Sequence, residues 1–315
     1  MANKTKNFKT SIGGQALMEG ILMRGPKKQA IVCRTADGLV EKVDELKLIR
    51  DRYPVLGWPL IRGVVTFLDS MIKGMSALMY SADLLPEELQ EDDPLDRWIE
   101  KHFSAELAKK LIIYVAVVLG IALSVFLFVF LPTFLVGLIK PIYNNIFVRN
   151  LSEGVVRIAI LLLYMRLCCN VPDVKRLFQY HGAEHKTIFC YEHGKELTVA
   201  NVRPESRFHP RCGTSFLLVV VIVSVLVNSV VRVTKTLPRI GCHLLLLPVV
   251  VGISYEINRW CGLHDETKLA QILSAPGKWL QRWTTSEPDD GMIECAIRAM
   301  ELVIPEEEGA DAWGK

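Results

Sequence analysis

Tyr180-His181-Gly182-Ala183-Glu184-His185-Lys186 brings two imidazoles and a carboxylate within reach of one ion. His181 and His185 are four residues apart and Glu184 is three from the first, so on a helix all three share a face. His-x-x-Glu-His is the inverted motif of zinc peptidases, in which the acid beside the second His acts as general base. His209 and Cys212 add an imidazole and a thiol, so four candidate ligands fall between residues 181 and 212. Zn²⁺ is the expected cofactor because the set mixes imidazole with thiolate, with another divalent metal as the alternative.

Two chemistries fit. In a hydrolase, His181, His185 and one of His209 or Glu256 hold the metal, and Glu184 takes a proton from a water that the metal acidifies. In a scaffold, His181, His185, His209 and Cys212 close the coordination shell and staple a loop, leaving no open position. Glu184 then serves only to orient an imidazole. Arg211, between two candidate ligands, is a candidate for stabilising negative charge. Glu192, His193 and His264-Asp265-Glu266 are weaker candidates, expected in exposed loops. Glu19 and Arg24 lie in an apolar stretch and are expected to pair with each other.

The elements that must position this segment are mostly apolar helices. Half of the 315 residues are hydrophobic, although 23% are charged, so charge and apolar runs must be segregated. Leu111–Leu138 has no charged residue and exceeds the ~20 residues that span a bilayer, with Pro132 as a kink or an end. Val155–Val171, with Arg157 and Arg166 near its ends, Phe216–Val231 and Ile240–Ile257 complete a four-span domain over 111–257. The candidate site is an insertion at 172–213 between the second and third spans. Arg62, Thr66, Asp69, Lys73 and Ser76 form one polar stripe on a helix over 55–85, which is expected to lie in the membrane interface.

Residues 11–51 alternate apolar runs with turn signals and predict a small antiparallel β element made of Gln15–Met23, Gln29–Arg34 and Leu39–Val43. Residues 1–10 and 304–315 read as disordered tails, 86–110 as an acidic linker and helix. Residues 258–303 read as polar-surfaced cytoplasmic helices broken at Pro276-Gly277 and Pro288. The fold class is thus an α-helical polytopic membrane protein with a small β element, an interfacial amphipathic helix and C-terminal cytoplasmic helices.

Lys and Arg are dense before the first span and over 172–213, which places both termini and the site in the cytoplasm and the protein in the cell membrane. The 232–239 connection opposes this with Arg232, Lys235 and Arg239. The eight cysteines lack a framework spacing and are expected to be reduced. No cleavable signal peptide is expected. A net charge of +3 and the absence of any nucleic-acid motif argue against a nucleic-acid partner. The expected partners are the lipid bilayer, a lipid-linked or membrane-peptide substrate, and a membrane protein or a second copy of the chain.

Several stretches together resemble one family: Gly13-Gly14-Gln15-Ala16-Leu17-Met18-Glu19-Gly20 with Met23-Arg24-Gly25-Pro26, the His181–His185 segment, His209-Pro210-Arg211-Cys212-Gly213-Thr214-Ser215-Phe216, and Leu280-Gln281-Arg282-Trp283-Thr284-Thr285 with Glu287-Pro288-Asp289-Asp290. The chain resembles, from about residue 11 to 303, the YqhQ-like family of bacterial membrane proteins. That resemblance implies a bound metal and, more loosely, catalysis.

Overall fold

The computed structural model describes residues 8–46, 53–85, 105–139 and 145–313. The 1–7 part of the N-terminal tail, the acidic linker over 86–104 and residues 314–315 lie outside the described residues. The chain forms two compact units, one from Met1–Leu85, Met165–Val220 and Pro248–Lys315, the other from Pro86–Tyr164 and Val221–Leu247.

The first unit is built on a four-stranded antiparallel sheet in chain order, β1 (Gly13–Leu17), β2 (Gly20–Arg24), β3 (Lys28–Thr35) and β4 (Gly38–Glu45). The run Gln15–Met23, read as one strand, is instead two, because Met18-Glu19 makes the hairpin turn. Glu19 holds the positive φ of 49° that such a turn demands. Its carboxylate is taken by Arg176 and the Tyr180 hydroxyl, while Arg24 pairs with Asp69 at 2.7 Å. The expected Glu19–Arg24 pair therefore does not form. In the β1–β2 register Gly13 faces Arg24 and Gln15 faces Leu22, so the two sheet faces carry different residues.

One face packs Leu17, Leu22, Ile31 and Cys33 on α1 (Ile61–Asp83). The other packs Ile21, Met23, Ala30 and Val32 on α5 (Pro172–Glu192) and α10 (Asp290–Glu301). The polar stripe of α1 turns inward: Arg62 pairs with Glu256, and Asp69 with both Arg24 and Lys73. The outward face of α1 is apolar, with Leu68, Met71 and Met75 exposed and Ile72 71% exposed. Glu256 is thereby committed to Arg62 and not to its helix neighbour Arg259.

The unit also contains α6 (Val199–Val202), α9 (Lys268–Thr284) and part of α8 (Thr236–Leu263). The α9 helix runs through Pro276, which removes one backbone bond without ending it. Small and polar residues such as Ala270, Ser274, Gly277 and Gln281 face inward, while Leu269, Leu273, Trp279 and the 68%-exposed Ile272 face outward. The polar-surfaced reading of 258–303 thus fails for α9. The tail is also ordered as far as Trp313: Ala312 bridges Thr10, the Thr10 hydroxyl donates to Asp311 at 2.6 Å, and Trp313 N–H donates to Lys9 O at 2.8 Å. Burial of Thr10 and Asp311 holds this seam closed.

The second unit carries α2 (Ala105–Val125), a π-helical turn (Phe126–Phe130), α3 (Leu131–Gly137) and most of α4 (Ile146–Cys168), with parts of α7 (Gly213–Asn228) and α8. Pro132 leaves the carbonyl of Phe128 without its helical donor, and Arg157 Nε supplies one at 2.8 Å. Arg157 is buried and also donates to Ser224 Oγ at 2.8 Å, so it does not snorkel. Arg149, Glu153 and Arg239 are buried together, with Glu153 accepting from Arg149 at 3.2 Å and Arg239 at 2.9 Å.

Among the described residues, Leu111–Gly137 and Thr236–Leu263 are long and apolar enough to cross a membrane, and the broken α4–α5 pair would count as a third. The apolar α7 has 16 residues, about 24 Å at 1.5 Å per residue, short of a ~30 Å hydrocarbon core.

Gly182, between the first His and Glu184, permits the close approach of the Ser286 carbonyl, which would lie 2.1 Å from an added Cβ. Gly182→Ala is expected to destabilise the first unit by about 3 kcal/mol, the upper range of overpacking. Thermal melting checks this, and an unchanged midpoint would refute the packing argument.

Candidate metal centre

The α5 helix begins with Pro172 at its first turn and presents His181, Glu184 and His185 on one side. Cys212 comes from the residue preceding α7. The donor atoms of His181, His185 and Cys212 lie within 4.8 Å of one another, and His181 Nε2 is 3.2 Å from Cys212 Sγ. Both imidazoles are oriented from behind. His181 Nδ1–H donates to Thr284 O at 2.8 Å, and His185 Nδ1–H donates to Arg207 O at 2.5 Å. A carbonyl can only accept, so Nδ1 carries the hydrogen and Nε2 is the nitrogen left to face a metal once the imidazole is neutral. Burial opposes charge on Cys212, but the imidazoles of His181 and His185 outweigh it and hold the thiol well below its ordinary value. Burial likewise opposes charge on His181, and the Cys212 sulfur overcomes it and raises the imidazole to about 9. A thiolate and two imidazoles, one of which gives up its proton when an ion binds, are donors zinc selects, so the residues present fit that ion.

Glu184 is buried beside this group. Its Oε1 accepts from Gly14 N–H at 2.9 Å, while Oε2 is buried without a hydrogen-bond partner. Burial raises its pKa, against the pull of His181 and His185. Gly14 is needed here, since an added Cβ would meet the Glu184 carboxyl carbon at 3.0 Å and Leu22 O at 2.7 Å.

His209 is nearby but stands outside the three-donor group. Its ring lies 5.5 Å from that of His185, while its Nδ1 accepts from Arg211 N–H at 3.4 Å and its Nε2 lies 3.7 Å from Glu192. Burial lowers the His209 pKa to about 4. The backbone of His209 is clamped by Gln281, which accepts from its N–H and donates to its carbonyl, both at 2.8 Å. Arg211 is bound to Glu192 and stacks under Trp313 at 5.0 Å. It is a wall of the site and not a free cation. Glu192 is buried, contrary to the exposed-loop expectation. His193 pairs with Glu205 and Asp265 with Lys9.

The basic residues of 172–213 meet acids that follow α9: Lys186 and Arg207 reach Glu287, and Arg203 reaches Asp290. Asp289 caps α10 by accepting from Met292 N–H at 2.8 Å. No role for Gln281, Thr284 or Gly14 at the site was legible in the residue pattern. Their contacts join segments up to 170 residues apart and leave no local periodicity to read.

An α/β unit with a helix-borne His-His-Cys group, joined in one chain to apolar helices of spanning length, defines a membrane-associated protein with a candidate metal centre. Residues 58–306 match the family described as "Protein of unknown function (DUF1385)". The chain is 35% identical over 296 residues to "Uncharacterized protein YqhQ" of Bacillus subtilis (strain 168), covering 93% of this chain and 92% of that protein. The chain belongs to the DUF1385 family. No solved structure matches it.

Glu192→Gln would leave the buried Arg211 without its counter-charge and is expected to cost about 3–5 kcal/mol. Chemical denaturation measures the loss. A change under 1 kcal/mol would mean that the pair is not a structural tie.

Proposed function

We propose that the chain is a zinc-dependent hydrolase of the cell membrane, acting at its cytoplasmic face on a lipid, a lipid-linked molecule or a membrane peptide. The observation that carries this reading is the donor count. Three ligands, His181, His185 and Cys212, converge beside a buried carboxylate with one unpartnered oxygen. Three protein ligands with an open position is the catalytic zinc pattern, whereas a structural site is closed by four. The displacement of His209 toward Glu192 and Arg211 disfavours the closed knuckle.

When bound, zinc would polarise the scissile group and lower the pKa of a water toward ~7. Glu184 takes one proton from the attacking water, whose oxygen bonds to the acyl or phosphoryl centre. The bond to the leaving group breaks, and Glu184 returns the proton to it. The raised pKa of Glu184 suits it to hold that proton between the two steps. Gly14 N–H fixes one carboxylate oxygen so that the other faces the reaction. Thr284 and Arg207 carbonyls keep the imidazoles aimed.

The Thr10–Ala312 bridge puts both ends of the described chain in one unit, so the number of membrane crossings between them is even. This supports two or four spans over three, with both termini cytoplasmic. Arg239, buried on Glu153, no longer counts as a free loop charge opposing that orientation. The apolar outer faces of α1 and α9 would rest in the interface.

Purified protein is expected to hold about one zinc per chain. His181→Ala, His185→Ala and Cys212→Ser should each lose it, whereas His209→Ala should retain it. Retention in Cys212→Ser, or loss in His209→Ala with the fold intact, would return the site to the closed knuckle. Glu184→Gln should keep zinc and melting temperature while lowering activity by ~10²–10⁴, read as failure to complement a deletion strain. Full complementation would sink the enzyme reading. Reporter fusions at Asn145 and after Trp313 should give opposite locations. The same location at both would mean an even number of crossings between them and would overturn the four-span arrangement.

A further inference from the structure

A second cavity, of about 430 Å³, lies in the same unit between the sheet and α1. That volume is within the range of small-molecule sites. Gly13, Gln15, Leu22 and Arg24 form its sheet side, on the face away from α5. Arg62, Val65, Thr66 and Asp69 form its α1 side. Ser11, Gly13 and Gly14 line this cavity and also the smaller cavity, about 110 Å³, around His181, Glu184, His185 and Cys212. The two spaces therefore meet at one rim, the start of β1. Nothing lies within 4 Å of where a Cβ on Gly13 would stand, so the residue leaves this rim open.

The lining joins apolar walls to a few charged groups. Leu22, Leu46, Leu56, Val65 and Tyr255 supply apolar walls. Of the charged residues that line it, Arg24 and Arg62 are set against Asp69, which leaves one positive charge in excess; Lys73 and Glu256, outside the lining, pair with Asp69 and Arg62. Beside Leu56, the segment leading into α1 exposes Tyr53, Val55 and Trp58, the last by 60%. Exposed tryptophan and tyrosine beside an apolar helix face are characteristic of the membrane–water boundary. The cavity thus adjoins the surface that would meet lipid.

We infer that the cavity between the sheet and α1 binds an anionic amphiphile drawn from the membrane and presents it across Gly13-Gly14 to the metal centre. This rests on the hydrolase reading and narrows its substrate class from lipid or peptide to a charged lipid. The apolar walls take the chain, and Arg24 and Arg62 take the phosphate or carboxylate of the head. The reacting group lies at the Ser11–Gly14 rim, next to Glu184.

The test uses the full chain in phosphatidylcholine nanodiscs. Binding of 1-oleoyl-lysophosphatidic acid is compared with that of monoolein, inorganic phosphate and an extended acidic peptide. The lysophosphatidic acid is expected to bind at least tenfold tighter than each of the others. Gly13→Leu and Val65→Trp should each weaken it at least tenfold, with zinc content and melting unchanged. His185→Ala should lose zinc and keep the amphiphile. Equal binding of monoolein, or tighter binding of the peptide, would overturn the assignment. So would tight binding of phosphate alone, or undiminished binding in both folded cavity variants. A parent protein that binds the amphiphile but holds no zinc would sink the metal reading and leave the cavity standing, so the two failures are separable.

Discussion

Glu184 sits inside the protein with its two oxygens treated differently. One is held by the Gly14 amide, and the other is buried without a hydrogen-bond partner, in a residue that lines one small cavity with two imidazoles and a thiol. A carboxylate in this position is costly to bury unless the fold fixes it. Much of the first unit serves that single hydrogen bond. The β1–β2 register turns the Gly14 N–H away from β2, and the Glu19 turn sets that register. The Glu19 carboxylate reaches across to Arg176 and Tyr180, pinning the strand pair to the helix that carries Glu184. Glycine at 14 then lets strand and carboxylate approach to a distance no side chain would allow.

A second layer of polar contacts aims the ligands without touching an ion. Thr284 follows Gln281 by three residues on α9, and that one helix therefore directs His181 and clamps the His209 backbone. The acids from Glu287 to Asp290 then neutralise Lys186, Arg203 and Arg207. This explains how a strongly basic segment can fold back beside a buried cluster that holds two imidazoles of its own.

What the sequence made legible was local. The i, i+4 histidines, the alternating strands and the long apolar runs all carry a period. Pairings set by packing carry none. His209 has the right element type and spacing for a ligand, but Glu192, one helix end away, is the better partner for its Nε2. Pro276 looks like a stop signal, yet α9 continues because packing of Gly277 and Leu280 outweighs one missing backbone bond. In the second unit Arg157 and Arg239 looked like flanking charges. They are buried because each has carbonyls, hydroxyls or Glu153 to receive its donors, including a carbonyl that Pro132 leaves free. The family stretches at 13–26 and 280–290 marked where contacts would be, but not which atoms would make them.

The core of the first unit joins residues at opposite ends of the chain. Ile21, Met23 and Val32 are covered by Ile293, Ala296 and Met300, and Cys295 donates to the carbonyl of Val32 at 3.1 Å. During synthesis the sheet leaves the ribosome first, and every apolar helix follows before α10 appears. One face of the hairpins must wait, uncovered, while more than two hundred residues are translated and the apolar helices find their places. Closure of the core over such a separation is slow, and an exposed strand face is prone to aggregation in the interval. The His181–His185–Cys212 cluster, carried in part by the helix that shares this core, therefore takes shape late, after the apolar helices have emerged.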